Sequence, residues 1–346
     1  MYVRGKQIGI TFYSGKCCQE RGFHLLFTAL KPTPPKIILP DPDPVVRAFA
    51  GADLWISVTG TPPISITLKN DTAVLENGTK DIRHRLTNEG NYSCIAVNDY
   101  GNITSVNFSV VFIDCRPQCS MSWTLVNRNY LKCRNITSLT HVLKKCVPTI
   151  TETLDLSSNN IQNLQKDDFA RLKNLRQLIL SSNAIGLLPE SVFASLENLE
   201  ELDFAHNALT TIPGRVFSNM TYLFGLYLWH NRINVLSKEA FINLSYLHLL
   251  YLSSNALTSL PEGVFASLER LAMLYLSSNA LRVIPEGMFA NLSNLQLLDL
   301  SLNKIRELPV TTFVNLGKLH LINISSNALP ALPKDVFANL TSLFTL

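Results

Sequence analysis

Three histidines and two carboxylates are the first place to look for chemistry in this chain. His206 and His230 stand 24 residues apart, His248 lies close by in the following segment, and Glu201 and Asp203 sit just upstream. Imidazole and carboxylate ligands of this kind can hold a first-row metal, but scattered histidines on a repeat surface fit solvated polar contacts better. Four thiols, Cys115, Cys119, Cys133 and Cys146, form a second constellation. Structural zinc draws on a tight Cys-x₂₋₄-Cys pair at each end of its site, and only Cys115 and Cys119 make such a pair. No serine lies in a nucleophile elbow, no Gly-rich loop could cradle a phosphate, and no HExxH occurs. The residues therefore predict no catalytic group, no cofactor and no metal, and the chain reads as a non-enzyme.

What positions these side chains is a repeat. Eight asparagines, Asn159, Asn183, Asn207, Asn231, Asn255, Asn279, Asn303 and Asn327, follow one another every 24 residues, each closing a run of the form LxxLxLxxN. A phenylalanine keeps the same step ten residues later, from Phe169 to Phe337. In 247–265, Leu250 and Leu252 alternate with Leu249, Tyr251 and Ser253, the period-two pattern of a short half-buried strand. Asn255 ends that strand with an amide that both donates and accepts, so stacked copies are expected to form a ladder. Leu257, Leu260, Phe265 and Leu268 supply the rest of the core. Units of this kind cannot bury their apolar faces alone and must stack into a solenoid.

The segment 151–346 resembles the extracellular 24-residue class of leucine-rich repeat, as in matrix proteoglycans, neuronal adhesion receptors, Toll-like receptors and jawless-vertebrate antigen receptors. Runs such as Leu274-Tyr275-Leu276-Ser277-Ser278-Asn279 and Leu260-Pro261-Glu262-Gly263-Val264-Phe265 carry the resemblance. It implies a curved parallel β-sheet whose convex side is mostly loop or short helix, with eight repeats and the start of a ninth. It says little about the ligand, because one architecture serves many partners. The cysteines of 114–150 resemble the N-terminal cap of such proteins, although the family's close Cys-x-Cys pair is missing. That resemblance implies two disulfides among Cys115, Cys119, Cys133 and Cys146, with three pairings open.

Upstream, 35–113 alternates short β-like runs with turn residues, and it reads as an all-β sandwich. Asn88-Glu89-Gly90-Asn91-Tyr92-Ser93-Cys94 is similar to the sixth-strand signature of immunoglobulin domains, with Tyr92 as the corner tyrosine. The register puts Ile56 where the first cysteine of that family belongs and Leu68 where its core tryptophan belongs. The domain is therefore degenerate, lacks the inter-sheet disulfide, and leaves Cys94 as a buried core thiol.

Over 346 residues the net charge is only +4, and no basic stripe interleaved with aromatics exists, which excludes a nucleic-acid partner. No run approaches the roughly 18 to 20 apolar residues of a membrane span. Residues 1–34, with Cys17 and Cys18, read as a poorly structured leader without a clean signal peptide. Leu343 and Leu346 begin a ninth strand, so the chain reads as a fragment whose membrane attachment would come only through a missing C-terminal part. Eleven Asn-x-Ser/Thr sequons, Asn70, Asn77, Asn91, Asn102, Asn107, Asn135, Asn219, Asn243, Asn291, Asn323 and Asn339, support an extracellular location, secreted or cell-surface. Asn219, Asn243, Asn291 and Asn339 share one repeat position on the outer arc.

The outward strand positions can be compared repeat by repeat. One reads Asp155, Ile179, Asp203, Tyr227, Tyr251, Tyr275, Asp299, Asn323. Around its three tyrosines fall Phe224, Trp229, Leu249, Met273 and Leu297, and Glu200, Glu201 and Asp203 form an acidic shoulder able to steer a basic ligand. Tyrosine and tryptophan are the residues of interface hot spots, although cross-strand stacking alone would also account for them. The expected function is a protein-binding adhesion or receptor ectodomain that recognises a macromolecular ligand on this concave face. A proteoglycan-like matrix component, a signalling-receptor ectodomain and a homodimer burying the same face are the alternatives.

Overall fold

The computed structural model describes residues 8–10, 27–29, 34–38, 45–48, 53–60, 63–71, 73–79, 81–99, 103–112, 119–123, 129–149 and 151–346. Cys17, Cys18, Asn102 and Cys115 lie outside them. Two compact units, Met1–Phe112 and Ile113–Leu346, divide the chain.

In the second unit the 24-residue period becomes a ten-stranded sheet. Each repeat gives one three-residue strand, Thr153–Asp155, Gln177–Ile179, Glu201–Asp203, Gly225–Tyr227, Leu249–Tyr251, Met273–Tyr275, Leu297–Asp299 and Leu321–Asn323. Successive strands pair in parallel with a register of one whole repeat, so Tyr227 lies opposite Tyr251 and Tyr251 opposite Tyr275. The middle residue of every strand points inward and is buried. This parallel-sheet solenoid follows from the leucine spacing, because a strict repeat can satisfy its strand edges only against its own copies.

The asparagine ladder is closed on both sides. Asn255 Nδ2 donates to the carbonyls of Leu252 at 3.1 Å and, one repeat back, Leu228 at 2.9 Å, while its Oδ1 accepts the Ile233 N–H at 3.0 Å. The other seven repeat this pattern, which satisfies backbone groups that leave the sheet inside a buried column. Beneath them the phenylalanines stack, with Phe241 and Phe265 centroids 6.1 Å apart. The far side of the stack is built from consecutive i→i−3 turns, such as Val264 N to Pro261 O and Ala266 N to Gly263 O, and not from helices. Of the two forms expected for this side, loop and short helix, the repeats take the first, and in the fifth repeat Pro261 and the left-handed Gly263 (φ 71°) disfavour an i→i−4 ladder.

A hairpin prolongs the sheet. Strand Cys119–Trp123 pairs antiparallel with Asn129–Cys133, which pairs in parallel with the first repeat strand. Cys119 and Cys133 face one another in this hairpin and are disulfide-bonded, and Cys146 is also disulfide-bonded. These three sulfurs, being in disulfides, have no thiolate to give a metal. Helix Leu139–Lys145 buries Leu139, Val142 and Leu143.

The first unit holds a five-stranded sheet and a three-stranded sheet, antiparallel except where Val45–Ala48 runs parallel to Ile103–Phe112. Alternate residues of both are buried, among them Ile56, Ile66, Leu68 and Ile82. Tyr92 Oη donates to the Asn88 carbonyl at 2.7 Å. Cys94 lies opposite Leu68, is free, and is fully buried, which pushes its thiol up to about 11. Within 1–34, Ile8–Ile10 pairs antiparallel with Phe27–Ala29.

Candidate functional site

The residue types of the outward row are set in line by the register alone. Asp203, Tyr227, Tyr251, Tyr275 and Asp299 occupy one row across five neighbouring strands. The tyrosine rings use this spacing to stack: Tyr227 and Tyr251 centroids are 5.2 Å apart, Tyr251 and Tyr275 4.4 Å with only 13° between planes. All three remain partly exposed. Burial, followed by the neighbouring Tyr251 hydroxyl and Asp299, pushes the Tyr275 phenol up to about 12. Tyr227 is raised as well, first by burial and then by the fields of Glu201, Tyr251 and Asp203.

Beside this row lies Leu249, Met273 and Leu297, each half-buried and paired with the next. The Tyr275 hydroxyl reaches Met273 Sδ at 3.9 Å. In the fourth repeat the same position is Gly225, and Tyr227 fills the vacant space above it. Trp229 stands two residues beyond Tyr227 and meets His206 edge-on at 4.5 Å. Phe224, 36% exposed, stacks on His248 at 4.6 Å on the other flank.

The acidic shoulder divides into paired and unpaired members. Glu200 bonds Arg176 at 2.5 Å. Glu201 Oε2 accepts from Gln177 at 2.6 Å, and Asp203 Oδ1 from the Ala205 N–H at 2.8 Å. Together with Tyr227, Trp229 and Tyr251, these two carboxylates line a recess of about 590 Å³. A second recess, about 520 Å³, shares Glu201 and opens towards Tyr222, Phe224 and Tyr246. Of the expected face residues, Glu201, Asp203, Tyr227, Leu249, Tyr251, Met273, Tyr275 and Leu297 occupy outward positions of the strands of repeats three to seven, and Glu200, Phe224 and Trp229 flank those strands.

The three histidines are not gathered around the carboxylates. His206 and His230 stack on each other at 4.5 Å, and His248 Nδ1 donates to the Tyr246 carbonyl at 2.6 Å. Among the described residues no group of three or more His, Cys, Asp or Glu is placed to hold a metal ion. His206 and His230 also belong to a row that the sequence reading overlooked. The residue before each ladder asparagine is left-handed, at φ 54–57°, in Ser158, Ser182, His206, His230, Ser254, Ser278, Leu302 and Ser326. The unvarying position was its signal, yet these residue types rarely announce positive φ.

Of the sequons, Asn77, Asn91, Asn107, Asn135, Asn219, Asn243, Asn291 and Asn339 are exposed, and Asn70 and Asn323 are half-buried. The Nδ2 of Asn219 donates to the Ala194 carbonyl at 2.9 Å on the turn side, away from the tyrosine row. Asn323 lies in the row itself, its Oδ1 accepting from Ser325.

Comparison with known proteins follows the same lines. A chain of the solved octameric complex of Latrophilin 3, Unc5D and FLRT2, to which FLRT2 contributes leucine-rich repeats, matches at 32% identity and a TM-score of 0.53, covering 57% of this chain and 60% of that one. This chain therefore spans less than two thirds of that structure's length. A chain of the TLR13–ssRNA13 complex matches at 26% identity and a TM-score of 0.49, covering 61% of this chain and 34% of that one. No curated protein matches. The family model for the leucine-rich repeat matches residues 130–185, 173–228, 222–281 and 269–319, together more than half of the sequence. With a parallel sheet in single-repeat register and a closed asparagine ladder, the chain belongs to the leucine-rich repeat family.

Proposed function

We propose that this chain is an extracellular protein-binding ectodomain of adhesion or receptor type, capturing a protein ligand on the exposed sheet face of repeats three to seven. The observation that carries this reading is the stacked row Tyr227–Tyr251–Tyr275, half-exposed and bordered by Leu249, Met273, Leu297, Phe224 and Trp229. An apolar and aromatic field of this extent marks an interaction surface. Mutual stacking fixes the rings before a partner arrives, so little side-chain entropy is left to lose on binding. The similarity to the complex in which FLRT2, with its leucine-rich repeats, assembles with two other proteins supports the same use.

Several features support the extracellular placement. Cys119, Cys133 and Cys146, read as part of an N-terminal cap, are oxidised, as suits a secretory compartment. Exposed sequons on the turn side would carry sugar away from the face. The first unit is read as a degenerate immunoglobulin-like sandwich, with the Tyr92–Asn88 tie as its corner and Ile56 and Leu68 filling the volume of the absent disulfide and tryptophan. Catalysis plays no part in this reading.

The test is capture of partners by cross-linking pull-down with the secreted chain. Tyr227→Ser, Tyr251→Ser and Tyr275→Ser together are expected to abolish capture while circular dichroism and secretion stay unchanged. Full capture by the folded triple variant would move the binding surface elsewhere.

A further inference from the structure

The recess at the edge of the tyrosine row has a chemistry more specific than an apolar patch. Tyr227, Trp229 and Tyr251 line it together with Leu178 and Ile179, and Glu201 and Asp203 bring two carboxylates to it. The carboxylates are adjacent because Glu201 and Asp203 project from the same side of one strand, two residues apart. Each spends one oxygen inside the protein, on Gln177 and on the Ala205 N–H. Among the described residues no cation pairs with either, whereas their neighbour Glu200 is neutralised by Arg176. Two carboxylates with no cation of their own, beside the aromatic side chains of Tyr227 and Trp229, make a favourable place for a cation with an apolar stem. The volume, about 590 Å³, is far above the roughly 30 Å³ that one water occupies in the liquid.

We propose that this recess anchors a basic side chain, an arginine presented by the protein partner, with its guanidinium held by the carboxylates of Glu201 and Asp203 beside the aromatic side chains of Tyr227 and Trp229. This rests on the reading of the sheet face as a protein-binding surface and adds the chemistry of its anchor. Arginine suits the recess better than lysine, because a planar guanidinium can stack on a ring while its edge donates to two carboxylates. The raised Tyr227 phenol agrees, since burial and then the Glu201 carboxylate disfavour any further negative charge there. A cation entering the recess would relieve that field.

The experiment titrates the whole chain with N-acetyl-argininamide and, separately, with the neutral isostere N-acetyl-citrullinamide, following tryptophan emission. The arginine probe is expected to give a saturable change at least tenfold tighter than the citrulline probe. Glu201→Gln with Asp203→Asn, which keeps acceptors for Gln177 and Ala205, should bring the arginine response down to that of citrulline. Equal responses to both probes, or none to either, would overturn the proposal, and this comparison needs no variant to fold. Partner capture separates the two ideas. Capture lost in the triple tyrosine variant but untouched by the double carboxylate variant leaves the face as the binding surface and removes the arginine anchor. Capture untouched by both removes the face as well.

Discussion

The phenol of Tyr227 occupies the space that a side chain at Gly225 would fill. A Cβ on Gly225 would meet Tyr227 Oη at 3.0 Å, Cε2 at 3.1 Å and Cζ at 3.2 Å. The fifth to eighth repeats place a leucine or methionine at this position, so among repeats four to six, which carry the tyrosines, the fourth alone lets its ring lie along the strand over the preceding outward position.

Gly225→Ala should therefore disturb the binding face without disturbing the fold. The atoms it meets are the far end of a side chain that can swing, and alanine is no worse than glycine within a strand. We expect the unfolding midpoint to change by less than about 1 kcal/mol, with partner capture weakened severalfold and Gly225→Val weakened further. Equilibrium denaturation and pull-down on the same preparations check both halves. Capture at the level of the unmutated protein in both variants would show that the leaning ring contributes nothing.

Asn255→Ala removes a side chain that serves three backbone groups at once. The Ile233 N–H, fully buried with its residue, loses its acceptor, and the Leu228 and Leu252 carbonyls lose a donor. A loss of about 1–3 kcal/mol is expected, read as a lower urea midpoint. Asn255→Asp restores the acceptor but not the donors, and should recover no more than part of it. A midpoint equal to that of an exposed control substitution would contradict the ladder's energetic role.

Where the Asn129–Cys133 strand meets the first repeat, Asp155 is 4% exposed and its carboxylate is held by Lys132, by Tyr130 at 2.8 Å and by the Ser157 N–H at 2.9 Å. Burial pushes this carboxyl up, yet the hydrogen bonds of Lys132, Ser157 and Tyr130 together outweigh it and keep the group below its ordinary range. Its contribution is therefore present above the unfolded aspartate value, about 3.9, and is lost as the pH falls through the lower folded value. Lys132→Met leaves a buried charge without its cation and should cost about 3 kcal/mol at neutral pH. Acid unfolding of that variant should also begin at a higher pH, followed by circular dichroism from pH 7 to 2. Identical acid profiles for the two proteins would refute the pairing.

Much of the second unit was legible before any coordinates. An asparagine and a phenylalanine recurring every 24 residues leave a single packing in which each repeat pairs with the next, and the register placed Tyr227, Tyr251 and Tyr275 in one row. The turn side was less legible, because Leu257, Leu260 and Phe265 fit a short helix and a chain of turns equally well by spacing, and only Pro261 and Gly263 tip the balance. The left-handed row escaped notice since serine, histidine and leucine tolerate positive φ only where surrounding hydrogen bonds impose it.

The amino-acid order by itself determined which side chains face the core and which face out, for burial follows a one-dimensional period of hydrophobicity. Tertiary structure alone decided what the outward ones do. Whether three rings stack, whether Tyr227 leans over Gly225, which cysteine meets Cys119, and whether Glu201 and Asp203 keep a free oxygen beside an aromatic wall all depend on rotamers and ångström-scale neighbours from other repeats. No periodicity encodes those distances, because they arise only once the copies are stacked against one another.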